Sequence, residues 1–588
     1  MLNKLRDRKN FDLIYSIIIN LIIVTLFFIF TNLSYDMADC YFYSHFISEG
    51  YYDFGFMNYL FGVICGFIQT LIFPMNAFTV LHLILCFISF TTISFIFSKK
   101  HGRKISTIFI LFLTSFFAVN HYVNVSFSFA PALFLVAGVV CIFFYSQQEK
   151  WLFGTIFGSV LIIFSDIYRI EVFLLGVCIT AFFILGSSLT EYFDNRSLKT
   201  KSTNLFKIIF INKRFLIFLV LFLICFSVNL FSTFICNSSK ETRYFLKYTN
   251  ARSQVWDYEI PDYQVCKKEY DAIDIDENDI EMLRNGYMDD EGAFTYEKLQ
   301  QIEEIKNNYN KSTKSIISTL KCMTLNELIS IRILNDQGIA CIAFTIIFLF
   351  YVVIEKKRRY FIPLLLIVPI LGVHIYLWYR GRVPYRAVYA LWFASAVYIM
   401  YSFSKFDTRE YIKFICKFYR RLVCIIITGL VVVTSIFGAY FSNKANITFV
   451  SYSTDSPTTS INNYIDSHPN DRFELSRSVN VIKSKNNILF LDDILNNNYL
   501  IFNCTYYRSK YYDKQMSEFG TDNMYSNLLN ENVYIIDSKD NGHIHMLQMY
   551  LNKYYVSQDQ TIQMKKVCTI DNVNLYKFYV QCDDDRLE

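Results

Sequence analysis

Long apolar runs separated by short polar connections set the plan of this chain. Runs near 12–32, 77–97, 105–120, 126–145, 151–165, 172–189, 214–236, 338–354, 360–379, 387–403 and 421–441 read as helical crossings of a bilayer whose hydrocarbon core is about 30 Å thick. None alternates with period two as barrel strands do, so the pattern predicts a polytopic α-helical membrane protein of about eleven transmembrane helices. One further run, 56–73, upsets the count. A full crossing there would push the basic cluster 99–104 outward, against the excess of Lys and Arg that marks cytoplasmic loops. The run is therefore read as an interfacial or re-entrant helix. Charge clusters at 99–104, 149–150, 196–214, 356–359 and 405–421 then fall inside with the N-terminus, and the C-terminus falls outside.

That register divides the chain into a transmembrane domain, 1–442, and an exported domain, 443–588. The first includes the external loop 33–76 and the acidic external loop 237–337, for which helices near 277–286 and 296–310 are expected. Within the acidic loop, Asp271, Asp274, Asp276, Glu277 and Asp279 lack the spacing and the glycine of a calcium loop, and they read as a solvated helix start. In 443–588, short β-branched and aromatic runs at 447–452, 488–491, 533–536 and 573–580 alternate with helical patterns, predicting a small α/β module. Asp492, Asp493 and Asp537 fall at its strand ends, where acids commonly serve turns.

Composition agrees with this plan. Of 588 residues 53% are hydrophobic and 18% aromatic, too apolar for an ordinary soluble chain, while the net charge of +5 matters less than its placement. The basic start Lys4, Arg6, Arg8 and Lys9 precedes the first run without a small-residue cleavage site, so an anchor is expected in place of a removed signal peptide. Fifteen cysteines are scattered without metal-ligand spacing, and no metal centre is expected. Cys266 and Cys322 share one exported loop, which leaves their pairing open. Walker, GxSxG and HExxH motifs are missing, and so is a basic stripe interleaved with aromatics, which leaves nucleotide cofactors and nucleic-acid partners without a signal.

Candidate chemistry collects at the outer boundary. Residues 36–53 open the first loop, and Asp36, Asp39, Tyr43, Phe46 and Gly50 share one helix face. The two carboxylates are open to two readings, capping and macrodipole stabilisation of a helix start, or chemistry at the membrane surface. Arg169 stands in an almost loopless connection beside Asp166 and Glu171, and Arg380, Arg382 and Arg386 crowd a second one. Arginines at helix ends snorkel and pair with acids. As a group on the side that should be poor in them, these four also suit an anionic head group, because guanidinium forks match phosphate oxygens. A carboxylate that deprotonates an acceptor hydroxyl, opposite arginines that stabilise a departing phosphate, would carry out sugar transfer without a redox or nucleotide cofactor.

The first loop resembles that of integral-membrane glycosyltransferases of the GT-C class, notably the lipid A aminoarabinose transferases and the protein O-mannosyltransferases. Asp36 stands fourteen residues before Gly50, and Gly50-Tyr51-Tyr52-Asp53 follows where that class carries a similar stretch. Met37 replaces the second acid of the usual pair, and Phe54-Gly55-Phe56 stands where prolines are customary. The resemblance implies that Asp36, or Asp39 in its stead, is the general base, with Tyr43, Tyr52 and Asp53 supporting the loop. It implies that Arg169, Arg380, Arg382 and Arg386 bind the donor phosphate, by location only. The implied donor is a sugar on a polyprenyl phosphate such as undecaprenyl phosphate, and the acceptor a glycan, lipid or protein hydroxyl, in the cytoplasmic membrane of a bacterium building surface polysaccharide or glycoconjugate. A polysaccharide polymerase or ligase would centre its chemistry on a large loop in the second half, and a lipid-linked sugar transporter would place ionisable groups at mid-membrane.

Overall fold

The computed structural model describes residues 11–31, 33–35, 38–148, 151–197, 213–332, 336–355, 359–404, 457–476, 488–491, 499–502, 506–539 and 543–582. The chain divides into two compact units. The first takes the described residues of Met1–Cys40, Phe56–Thr233 and Ile316–Thr448, and the second those of Tyr41–Gly55, Phe234–Ser315 and Phe449–Glu588.

The first unit is helical. Along it run α1 (Phe11–Phe30), β1 (Ser34–Tyr35), the start of α2 (Ala38–Ser48), α3 (Tyr59–Ile72), α4 (Ala77–His101), α5 (Arg103–Phe117), α6 (Val119–Tyr122), β2 (Asn124–Val125), α7 (Ala130–Tyr145), α8 (Trp151–Tyr168), α9 (Ile170–Ser197) and α10 (Lys213–Cys236). After the second unit's middle segment, whose α11 to α14 are set out below, come α15 (Ile316–Arg332), α16 (Asp336–Ile354), α17 (Phe361–Arg380) and α18 (Tyr385–Ser402). Seven of these, α1, α4, α8, α9, α10, α16 and α17, contain segments long and apolar enough to cross a membrane. The expected crossings 105–120, 126–145 and 387–403 fall on α5, α7 and α18, which are not among these seven, and 421–441 lies outside the described residues. The run 56–73 contains only the 14-residue α3, about 21 Å long at 1.5 Å per residue, short of the hydrocarbon thickness.

Two devices hold this unit together. At one end Asp12 of α1 accepts Lys99 at 2.8 Å and Arg103 at 2.7 Å, pinning α1 to the α4–α5 junction. In the interior α7 and α8 approach closely through glycine. A Cβ on Gly138 would lie 2.4 Å from the Gly158 carbonyl oxygen, and one on Gly158 would lie 2.6 Å from that of Gly138. Small residues at such a crossing let backbones meet where burial against lipid supplies no drive. Gly158→Leu is therefore expected to lower stability by about 1–3 kcal/mol through overpacking. Thermal unfolding in detergent checks this, and an unchanged transition would show that the helices do not pack at this crossing.

The second unit is mixed. Its middle segment carries α11 (Lys240–Trp256), α12 (Lys267–Asp271), α13 (Glu277–Arg284) and α14 (Tyr296–Thr313). Its C-terminal segment carries α19 (Pro457–Ser467), β3 (Arg472–Leu475), β4 (Tyr499–Ile501), α20 (Lys510–Phe519), α21 (Met524–Asn527), β5 (Val533–Ser538), α22 (Ile544–Tyr554), β6 (Gln560–Ile570) and β7 (Val573–Cys582). The sheet order is β4-β3-β5-β7-β6, with β3 parallel to β4 and β5, and β7 antiparallel to β5 and β6. Ile461 and Ile465 of α19 pack on Phe473, Leu475, Ile536 and Leu575 to form its core. Asp537 ends β5 by accepting the backbone N–H groups of His543 at 2.6 Å and Ile544 at 3.0 Å, so this strand-end acid caps α22. Asp492 and Asp493 lie outside the described residues.

The acidic run is a helix start, with one difference. Asp276 and Asp279 form a reciprocal capping box on α13. Asp279 is buried, however, and accepts Lys553 at 2.7 Å and Tyr554 at 2.9 Å. Burial therefore raises its carboxyl pKa above the usual range, and the hydrogen bond from Lys553 pulls it back down. Among the described residues no group of three or more His, Cys, Asp or Glu could hold a metal. Cys266 is buried, Cys322 is exposed, and both are free thiols belonging to different units.

Candidate functional site

In the first unit the polar groups that can do chemistry gather on the segment 118–129, between α5 and α7. β1 pairs in parallel with β2, setting Ser34 opposite Asn124 and Tyr35 opposite Val125. This fixes the residue before Asp36 against buried backbone. Asp36 itself, with Met37, lies outside the described residues. Asp39 is half-buried in the first turn of α2, where a carboxylate suits the positive end of the macrodipole.

Arg169 stands between α8 and α9 and reaches the same segment. It donates to Ser128 Oγ, contacts Glu171 at 3.3 Å, and lies over the rings of Phe127 at 4.7 Å and Phe56 at 5.5 Å. Tyr385 comes to the next residue along, its ring 5.6 Å from that of Phe129 and its hydroxyl accepting from Asn120 at 2.9 Å. Arg169 and Tyr385, which precedes Arg386 at the start of α18, thus meet neighbouring residues of one buried segment. Arg380, Arg382 and Arg386 are each half-buried, and the turn is made by Gly381, whose φ of 80° closes α17. Ring faces attract a guanidinium and hold its plane, and here Nη1 is taken by Ser128 and Nε faces Glu171.

Asp166 does not pair with Arg169. It is buried at the end of α8, and both its oxygens accept from Asn229 Nδ2 at 2.8 Å, while Asn229 Oδ1 accepts from Asn58 at 3.0 Å. Tyr59 N–H donates to Ser232 Oγ at 3.2 Å, tying α3 to α10. An open apolar groove of about 420 Å³ lies along α10, lined by Val220, Leu223, Ile224 and Phe231 with Leu60 of α3. Two of its lining residues adjoin the cluster: Val228 precedes Asn229, and Leu60 N–H donates to Asn58 Oδ1 at 3.0 Å.

Deeper in the unit, His82 Nδ1 bonds the Tyr168 hydroxyl at 2.8 Å, and His82 Nε2 bonds the His121 carbonyl at 3.0 Å. His121 Nε2 lies 2.9 Å from the Tyr389 hydroxyl. Neither these histidines nor Asp166 with Asn229 were singled out from sequence as a polar site. The available signal was a polar residue inside an apolar run, Asn229 and His82 in particular.

The loop-support residues belong to the second unit. Tyr43 is buried edge-on to Phe54 at 5.0 Å and Phe46 at 6.0 Å. Gly50, at φ 80°, ends α2, and Tyr51 N–H returns to the Phe46 carbonyl at 2.8 Å, so the glycine of the Gly-Tyr-Tyr-Asp stretch is a helix stop. Tyr52 is half-buried beside it. Asp53 accepts Thr242 Oγ1 at 2.9 Å and faces Lys510 at 3.4 Å, and Phe42 stacks on Tyr506 with centroids 4.7 Å apart.

No family model matches the chain, and no curated protein or solved structure does. In the first unit the residues form an open apolar groove, a hydrogen-bonding cluster of Asn58, Asn229 and Asp166, and a guanidinium against two rings.

Proposed function

We propose that this protein is a GT-C-like membrane glycosyltransferase that moves a sugar from a polyprenyl-phosphate carrier to an acceptor hydroxyl on the outer face of a bacterial cytoplasmic membrane. The observation that carries the reading is the order of apolar groove, amide cluster and ring-held Arg169, which matches a lipid with a long apolar tail and an anionic head. In this reading the chain crosses the membrane about eleven times with its N-terminus inside. Asp36 or Asp39 takes the proton from the acceptor hydroxyl as that oxygen attacks the anomeric carbon, and the carbon–oxygen bond to the phosphate breaks. The released phosphate dianion is held by Arg169 with Arg380, Arg382 and Arg386. In this reading the lipid-linked sugar donor itself carries the leaving group.

The test is release of polyprenyl phosphate from a sugar-loaded donor by the purified protein in vesicles. Charge-assisted contacts are worth about 1.5–3 kcal/mol, so Arg169→Ala is expected to weaken donor use by about 10–150-fold. Arg169→Lys should recover part of it, since the charge stays and the fork is lost. Arg382→Ala and Arg386→Ala should act in the same direction. Wild-type donor use by Arg169→Ala would rule the assignment out.

A second reading, transport of the lipid-linked sugar, is favoured by the buried His82–Tyr168 and His121–Tyr389 contacts, since ionisable groups inside a membrane often mark a conduction path. Movement of donor across the vesicle without release of polyprenyl phosphate would select it.

A further inference from the structure

A second cavity lies in the second unit, at the C-terminal end of α11. It encloses about 370 Å³, within the range of small-ligand sites, and is lined by Trp256, Asp257, Tyr258, Glu259, Asp262 and Arg284 among others. Arg284 donates to the Ile260 carbonyl at 3.3 Å and pairs with Asp262, which fixes one rim. Each of the two aromatic rings has a buried cation against it. Arg252 lies 5.8 Å from the Trp256 ring centroid and Lys306 lies 4.9 Å from that of Tyr258, and both cations are 2% exposed.

These facts select the ligand. Rings held in place by buried residues are rigid apolar platforms, and they lose little entropy on binding. The cations against them already take up part of the attraction of the ring quadrupoles and offset the charge of Asp257, Glu259 and Asp262, so a cationic ligand gains little. A neutral ligand with an apolar face and a polar edge gains both ways. Its C–H face covers a ring, while its hydroxyls donate to the carboxylates and accept from Arg284. We infer that this cavity is a saccharide-binding site, with Trp256 and Tyr258 as stacking platforms and Asp257, Glu259 and Arg284 as hydroxyl partners. The inference goes beyond the transfer reading, since it concerns binding of free sugar and needs no turnover.

The experiment is ligand-observed saturation-transfer NMR on the full-length protein in detergent, with N,N′-diacetylchitobiose and maltose as sugar probes and spermidine as the cationic one. Saturable binding of at least one disaccharide is expected. Trp256→Ala should weaken it by about 10-fold or more, as for other aromatic anchors, and Glu259→Gln by less. Trp256→Phe keeps a ring and should retain most of the binding, which separates loss of the platform from loss of the fold. Binding of spermidine alone, absence of saturable sugar signal at millimolar concentration, or equal sugar binding by Trp256→Ala would each overturn the inference. Because polyprenyl-phosphate release is measured separately, failure here leaves the transfer assay to stand or fall by itself.

Discussion

Asp36→Asn is expected to lower sugar transfer by at least about 10²-fold while expression, membrane insertion and thermal unfolding stay at wild-type values. The two properties separate because asparagine caps a helix nearly as well as aspartate and fills almost the same volume, yet accepts no proton at neutral pH. The flanking structure makes the comparison clean. Before Asp36, Ser34 and Tyr35 are paired to Asn124 and Val125, and after it α2 begins at Ala38, so a side chain of equal size leaves both anchors in place. Asp39→Asn is the paired control, and whichever variant loses more activity at equal expression identifies the base. Near wild-type transfer by both would move the chemistry away from the first loop and favour the polymerase or transporter readings.

The largest stability effect is expected at Asp289, in the second unit. This fully buried carboxylate accepts Tyr555 at 2.6 Å, Tyr550 at 3.1 Å, Tyr507 at 3.2 Å, Asn523 at 3.1 Å and the Glu291 N–H at 3.2 Å. Burial pushes its pKa above the ordinary carboxylate range, and the donors pull it back. Asp289→Ala would leave five donors, those of Tyr507, Tyr550 and Asn523 on buried residues, facing a methyl group. Each unsatisfied buried group costs about 1–3 kcal/mol before relaxation, so with three of them the unit should be destabilised by about 3–5 kcal/mol. Asp289→Asn, which keeps one acceptor oxygen, should lose about 1–3 kcal/mol. Amide hydrogen exchange at Ala293 and along Met524–Asn527 reads this directly, because those amides belong to the same network. Wild-type protection in Asp289→Ala would show that the network is dispensable.

What was legible in the sequence followed from local pattern. The run at 533–536 lies within β5 and that at 573–580 within β7, because β-branched and aromatic residues alternate there. The helix start at Asp276 was readable from its acids. β3 has only four residues, and β6 interrupts its apolar positions with Lys565 and Lys566, so neither carried a periodic signal. The site was less legible than the fold. Asp166 and Asn229 are 63 residues apart, and nothing local distinguishes an acid bound by a distant amide from one that pairs with the arginine three residues on. Likewise Gly50 reads as part of a motif, while its positive φ shows that it also stops a helix.

The second unit draws on three separated stretches, and this has a consequence for its synthesis. Phe42 and Phe46 of α2 rest on Tyr506 and Tyr511, which leave the ribosome more than 400 residues later. At about 5–20 residues per second that interval is roughly 20–90 s. For that time an aromatic helix face is without its partner, so the nascent chain should need a holdase at the membrane. Polypeptides halted before Phe449 should be cleared by quality-control proteases, even though most of their apolar helices have already been made.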